Sequence, residues 1–154
     1  MKSISKIFKE HIKGTPEKSI VPELTICFCE LTRLVAKEVD FSTLKVYITT
    51  KSIKHLYDKK PAEEFECILR HMETIVKFPE HIYKNKKEKR AELCFLKTIQ
   101  GFTYLCCIER TKENNPENGE AGMNYLVTAF RIRKENYLKN YELLWSWKGD
   151  NPSS

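Results

Sequence analysis

The histidines are the side chains of this 154-residue sequence best suited to proton transfer near neutral pH. His55 lies in "KSIKHLYDK", a short predicted helix whose inward side is defined by Ile53, Leu56 and Tyr57. Because His55 falls outside this apolar stripe, we expect its imidazole to face solvent or a cleft and to act as a base or an acid. An ordinary surface histidine is the alternative. The other three histidines, for which we expect structural or exposed positions, are His11, His71 and His81.

A second candidate group lies at a predicted strand-to-helix junction, "YLVTAFRIRKENYL". In a regular strand Arg131 and Arg133 share one face, where guanidinium groups can bind phosphate bidentately and stabilise a pentacovalent oxyanion. Thr128 points to the opposite face. Lys134 adds a cation, and Tyr137 could stack on a base or hydrogen-bond to phosphate. The alternatives are a solvated strand end for the cations and a core anchor for the tyrosine.

Two further basic features are a lysine within an apolar strand and a cationic turn. Lys97 shares its predicted strand face with Phe95 and Ile99, so it could contact a ligand on an open sheet face, although an edge position that prevents aggregation explains it nearly as well. The turn "KNKKEKR" could follow a phosphate backbone, or it could simply be solvated. The candidate nucleic-acid-binding residues of this turn are Lys86, Lys87, Lys89 and Arg90, in addition to Arg133 and Lys134.

The charge balance favours an acidic partner. The formal net charge is +6, and such a surface attracts nucleic acid or an acidic inhibitor protein, with mere solubility as the alternative. The sequence contains no phosphate-binding glycine loop, no nucleophile elbow, no HExxH motif and no cluster of carboxylates that could bind two metal ions. We therefore expect no cofactor and no metal. If the protein is an enzyme that acts on nucleic acid, it should work without a metal ion.

The cysteines and the hydropathy pattern indicate a compartment. The six cysteines form no C-x-x-C pair and mostly lie in apolar runs, which is typical of reduced, buried thiols. No run of 18 apolar residues and no secretion signal occur, so we expect a cytoplasmic protein without a membrane partner.

The order of the elements predicts an α+β fold. Strands are predicted at Leu24 to Cys29 and in "LKVYIT", and a helix begins at Pro61. Four further strands are predicted in "EHIYKN", "RAELCFLKTI", "FTYLCCIERT" and "MNYLVTAFRI". Tyr137, Tyr141, Leu144 and Trp145 have helical spacing, which predicts a closing helix. We expect N-terminal helices packed on a four-stranded antiparallel meander sheet, closed by a C-terminal helix. The predicted divisions are a peripheral segment 1–18, a single domain 19–148 and a disordered tail 149–154.

The segments "KSIKHL", "FPEHIY" and "YLVTAFRIRKENYL" occur in an order that resembles phage-borne nuclease domains of the superfamily uniting barnase, EndoU, the tRNA-cutting colicins and RelE. The resemblance covers roughly residues 20–147. It implies helices on a four-stranded antiparallel sheet and metal-independent RNA cleavage by the ribose 2′-hydroxyl, in many cases as a toxin. His55 matches a catalytic base or acid, and Thr128, Arg131 and Tyr137 match the segment that holds other active-site groups.

The leading hypothesis is therefore a phage or mobile-element endoribonuclease whose partners are RNA, including tRNA, and an acidic antitoxin or immunity protein. His55 would transfer protons, Arg131 with Lys97 or Arg133 would bind the scissile phosphate, and Tyr137 would position it. Thr128 and Arg131 are an odd number of positions apart, so both can join one site only if the strand bends or bulges. The alternatives are a non-catalytic nucleic-acid-binding module and a phage protein-interaction domain on the same fold.

Overall fold

A mixed β-sheet forms the centre of the computed structural model, which describes residues 3–41, 43–85, 93–110, 123–134 and 136–147. The seven strands of the described residues are β1 (Thr25–Glu30), β2 (Lys45–Thr49), β3 (His81–Asn85), β4 (Leu93–Ile99), β5 (Phe102–Arg110), β6 (Asn124–Arg131) and β7 (Tyr141–Ser146). Their spatial order is β1-β2-β6-β5-β4-β3-β7, and neighbouring strands are antiparallel except for the parallel pair β2 and β6. The four described helices are α1 (Ile4–His11), α2 (Arg33–Glu38), α3 (Thr50–Lys59) and α4 (Ala62–Lys77).

The structure is α+β, but the prediction of a four-stranded antiparallel meander sheet is wrong. The four predicted strands are present as β3 to β6 and pair in sequence. The sheet continues beyond both ends of this meander, because β2 pairs with β6 and β7 pairs with β3. The strands β1 and β2 are themselves predicted by the sequence, whereas the long-range pairing of β2 with β6 has no local signal.

The predicted C-terminal helix is also wrong, because residues 136–140 form turns and the chain then extends as β7. The N–H of Tyr137 donates to the carbonyl of Lys134 at 3.1 Å, and the N–H of Tyr141 donates to that of Leu138 at 3.0 Å. Aromatic residues have high β-propensity, and the open edge of β3 supplies backbone hydrogen-bond partners to an extended strand. A helix forms its backbone hydrogen bonds within itself and would leave this edge unpaired. Tertiary pairing therefore overrides the helical spacing of the aromatic side chains.

The helices bury one face of the sheet. The helix predicted to begin at Pro61 is present as α4, and its side chains Phe65, Ile68 and Met72 are all buried in the main core. The segment 1–18, predicted as peripheral, contributes buried side chains to the same core. These side chains are Ile4, Ile7 and Ile12.

A smaller apolar cluster lies on the opposite face of the sheet. Its buried members are Cys94, Leu96, Leu105 and Cys107, and the segment after β6 packs on them through Leu138. This segment leaves the part of the face next to α3 uncovered, and the candidate site lies there.

Candidate functional site

A cleft opens where β2 leaves the sheet. The parallel pairing of β2 with β6 comprises two register pairs, Val46 with Asn124 and Tyr47 with Tyr125. The chain then turns into α3 at Thr50, while β6 continues to Arg131, so α3 lies beside β6 where a strand would otherwise pair. A cavity of about 830 Å³ results, bounded by α3, β6 and the segment after β6.

The N-terminal half of α3 forms one wall of this cavity. The side-chain oxygen of Thr49 accepts a hydrogen bond from the N–H of Ser52 at 3.1 Å and caps the helix, so the helix begins at a fixed point. Lys51 and His55 are four residues apart and both are exposed, which places them on the same helix face. Both line the cavity. The wall therefore presents an ammonium group, an imidazole and the positive end of a helix dipole to one space.

A carboxylate, that of Glu23, lies at the rim. The residues on either side of Glu23 are held in place by the buried Thr50. The Thr50 hydroxyl donates to the carbonyl of Pro22 at 2.7 Å and accepts from the N–H of Leu24 at 2.9 Å. The Glu23 side chain is exposed and lines the cavity. The site thus contains an acidic group and a basic group on separate elements.

A β-bulge in β6 determines which side chains form the sheet wall. Cys107 pairs with Thr128 and Ile108 pairs with Leu126, so Val127 is the extra residue of the bulge. Beyond the bulge the strand alternates regularly, and Thr128 and Phe130 both line the cavity.

Two tyrosines complete the cavity. The ring of Tyr137 lies 5.3 Å from that of Phe130 and 5.8 Å from that of Tyr141, measured between centroids. Burial and, to a lesser degree, a hydrogen bond with Tyr137 raise the pKa of Tyr141. Tyr137 is 40% exposed and lines the cavity, so its hydroxyl can form a hydrogen bond with a ligand there.

Arg131 does not join this group. It pairs directly with Tyr104 on the helix-covered face, and its Nη2 donates to the Tyr104 hydroxyl at 2.7 Å. Its guanidinium carbon lies 3.9 Å from the centroid of the Phe102 ring. The regular alternation of β6 after the bulge accounts for the separation, and it places Arg131 away from the cavity lined by His55 and Thr128.

The other predicted cations also lie elsewhere. Arg133 is ion-paired through Nη2 with the buried carboxylate of Glu64. Lys97 lies in register with Tyr104, and its Nζ donates to the carbonyl of Phe78 at 2.7 Å, so it serves the end of α4 instead of an open sheet face. Lys134 is exposed and does not line the cavity. The predicted binding residues of the turn, Lys86, Lys87, Lys89 and Arg90, lie outside the described residues.

Three of the sequence-predicted residues therefore meet in one cavity: His55, Thr128 and Tyr137. Sequence reasoning missed Lys51 and Glu23. The four-residue spacing of Lys51 and His55 was a usable signal, because it places both on one face of a predicted helix. The sequence carries no comparable signal for Glu23, because its position beside the cavity depends on the long-range hydrogen bonds of Thr50.

Comparisons of the chain with protein-family models, with curated protein sequences and with solved structures gave no significant match. Within the described ranges, no group of three or more His, Cys, Asp or Glu side chains is arranged to hold a metal ion. Every helix in the same ranges is too short or too polar to cross a lipid bilayer.

Proposed function

We propose that the protein is a metal-independent endoribonuclease whose active site is the cavity between α3 and β6. The observation that carries the proposal is that His55, Lys51 and Glu23 line the same cavity as Thr128 and Tyr137. RNA cleavage by the ribose 2′-hydroxyl requires a base, an acid and positive charge near phosphorus, and these five side chains supply all three.

The proposed reaction assigns a role to each group. The carboxylate of Glu23 accepts the 2′-hydroxyl proton as the bond from the 2′-oxygen to phosphorus forms. The imidazolium of His55 donates its proton to the 5′-oxygen as the bond from phosphorus to that oxygen breaks, which leaves a 2′,3′-cyclic phosphate and a 5′-hydroxyl. Lys51 stabilises the charge that develops on the phosphoryl oxygens, and Tyr137 donates a hydrogen bond to one of them.

The aromatic wall suits single-stranded RNA. Phe130 and Tyr137 contact each other edge to face, and an exposed tyrosine ring can stack on an unpaired base. The net charge of +6 favours binding to a phosphate backbone. The same charge suits an acidic neutralising protein, which would inhibit cleavage by covering this cavity.

A cleavage assay with matched histidine variants tests the proposal. Single-stranded RNA and total tRNA, each with a 5′ label, are incubated with the protein in EDTA, and the new ends are analysed for 2′,3′-cyclic phosphate. The wild-type protein should produce such ends. His55→Gln should lower the single-turnover rate about 10²- to 10⁴-fold, the usual contribution of a general acid or base. The control is His71→Gln, which changes a histidine of α4 outside the cavity and should leave the rate unchanged.

Substrate analogues separate binding from chemistry. An RNA with a single 2′-O-methyl ribose at the cleaved position should bind normally and remain intact, because it lacks the nucleophile. Absence of cleavage of every RNA by the wild-type protein, or equal rates for wild type and His55→Gln, would refute the proposal.

A further inference from the structure

Two thiols face each other across neighbouring strands of the sheet. Cys94 of β4 pairs directly with Cys107 of β5, and their Sγ atoms lie 3.4 Å apart. Both side chains belong to the smaller apolar cluster, on the sheet face opposite the helices. All six cysteines of the chain are among the described residues, and no other two of them have sulfurs within hydrogen-bonding distance.

The backbone already permits a bond between these two sulfurs. Residues directly opposite each other in an antiparallel pair have Cα atoms about 4.5 or 5.5 Å apart, and both separations fall within the range of disulfides. Closing the gap between the sulfurs to about 2.05 Å therefore needs rotation of two side chains and no movement of the strands. The adjacent Cys106 differs, because it points into the main core and pairs with Phe95.

The cavity between α3 and β6 gives a small molecule access to one of the two thiols. Cys107 lines this cavity beside Thr128, with which it pairs in β6. Cys94 is fully buried and does not line it. Hydrogen peroxide is little larger than water, so it can enter where a bulky reagent cannot. An oxidant in the cavity therefore meets Cys107 first and finds Cys94 in contact with it.

We propose that Cys94 and Cys107 are a site of oxidative modification, at which hydrogen peroxide forms a disulfide. The Cys107 sulfur attacks one peroxide oxygen and the O–O bond breaks, which gives a sulfenic acid and one water. The Cys94 sulfur then attacks the Cys107 sulfur, the S–S bond replaces the S–O bond, and a second water leaves. The two thiols together lose two electrons and two protons, and the peroxide is reduced to water.

The reaction is slow, because the environment of Cys107 disfavours its thiolate. A hydrogen bond with Cys94, together with burial, raises the pKa of Cys107, and the thiolate is the nucleophilic form. The pair therefore responds to sustained exposure to peroxide and not to a brief pulse. This chemistry does not depend on the proposed cleavage of RNA.

Peptide mapping of the oxidised protein tests the proposal. The parent variant carries Cys27→Ser and Cys67→Ser, which removes the two half-buried thiols and keeps the four buried ones. The folded, reduced parent is incubated with excess hydrogen peroxide, alkylated in guanidinium chloride and digested with trypsin. Two of its four thiols should be lost. Trypsin places Cys94 in peptide 91–97 and Cys107 in peptide 98–110, and these two peptides should become cross-linked.

The two neighbouring cysteines of β5 provide a matched pair of variants, because both are buried and they face opposite sides of the sheet. In the parent background, Cys107→Ala should abolish the cross-link to peptide 91–97. Cys106→Ala removes the adjacent thiol and should leave the cross-link unchanged. Dithiothreitol should return the oxidised parent to four thiols.

The alternative results overturn the proposal. A folded parent that keeps all four thiols in peroxide would do so, and so would a cross-link that persists in Cys107→Ala or oxidation that ends at a sulfinic acid on Cys107. If Cys107→Ala fails to fold, fragmentation of the cross-linked peptide from the parent locates the bond. A bond at Cys107 supports the proposal, and a bond at Cys106 overturns it.

Discussion

Thr128 and Arg131 lie on opposite faces of β6, although they are only three residues apart. The bulge that could have united them is present, but its extra residue is Val127, which precedes both. After Val127 the strand alternates regularly, so Thr128 lines the cavity with His55 while Arg131 packs against Tyr104. The position of a bulge, and not merely its presence, therefore decides which side chains can share a site.

This separation predicts opposite effects for two substitutions. Thr128→Val removes a hydroxyl from the cavity with little change in volume, so it should lower the rate of RNA cleavage about tenfold and leave stability nearly unchanged. Arg131→Ala removes the hydrogen bonds to Tyr104 and the contact with Phe102, and it should lower the free energy of unfolding by about 1–2 kcal/mol. The cleavage rate per folded molecule should not change.

Urea denaturation and single-turnover cleavage on the same preparations measure both effects. A loss of cleavage in folded Arg131→Ala that exceeds the loss in Thr128→Val would contradict the assignment of the cavity as the active site.

The ion pair between Glu64 and Arg133 should respond asymmetrically to truncation. The Glu64 side chain is 1% exposed, whereas that of Arg133 is 56% exposed. Arg133→Ala leaves a buried carboxylate without its cation, so it should destabilise the fold by about 3 kcal/mol. Glu64→Gln leaves a solvated guanidinium and a neutral amide, and it should be milder, at about 1 kcal/mol. Chemical denaturation of the two variants measures the difference. Equal losses would show that Arg133 does not compensate the buried charge.

Acid should weaken the contact between α3 and the segment before β1. Burial favours a higher pKa for Asp58, but hydrogen bonds from the Lys54 side chain, at 2.8 Å, and the Lys18 N–H, at 3.0 Å, outweigh it and lower the pKa. A carboxyl group whose pKa is lowered by folding stabilises the protein above its unfolded pKa, and this contribution is lost as the pH falls through the folded pKa.

Asp58→Asn therefore should be less stable than wild type at pH 7, and the difference should shrink below about pH 4, where the carboxyl of the unfolded chain is protonated. Thermal unfolding between neutral and acidic pH measures this. A difference in melting temperature that stays constant over the range would contradict the linkage. Lys6→Met is a suitable comparison, because Lys6 is largely exposed and its ion pair with Glu10 is 3.9 Å long.

Local patterns predicted the elements better than their arrangement. The helix α4 and the strands β1 to β6 follow from apolar spacing and β-propensity, because a single segment determines each of these features. The strand β7 does not, since "YELLWSW" satisfies a helical period as well as a strand and only the free edge of β3 selects between them.

The candidate site shows the same limit. The helical period of α3 alone separates its buried side from its exposed side. His55 was therefore expected to face solvent or a cleft, and it lines the cavity. The choice between Thr128 and Arg131 depended on a bulge that forms against Cys107 and Ile108 of β5, which no local pattern encodes. A regular strand separates the two residues, and the structure places Thr128, and not Arg131, in the cavity.

The thiols provide a last prediction, which concerns the packing of both cores. Four of the six cysteines are buried, and these are Cys29, Cys94, Cys106 and Cys107. Burial, with the nearby Glu73 carboxylate, raises the pKa of Cys29 to about 12, and a hydrogen bond with Cys94 together with burial raises that of Cys107. Because the thiolate is the reactive form, these groups should resist an aromatic disulfide reagent at pH 8.

The native protein should therefore react rapidly at no more than two thiols per chain, those of the half-buried Cys27 and Cys67. All six should react in guanidinium chloride, which exposes the cores. The double variant Cys27→Ser and Cys67→Ser should lose the rapid phase and keep four thiols that react on unfolding. Rapid reaction of more than two thiols in the folded wild-type protein would show that the reagent reaches a thiol that is buried in the structure, and it would contradict this prediction.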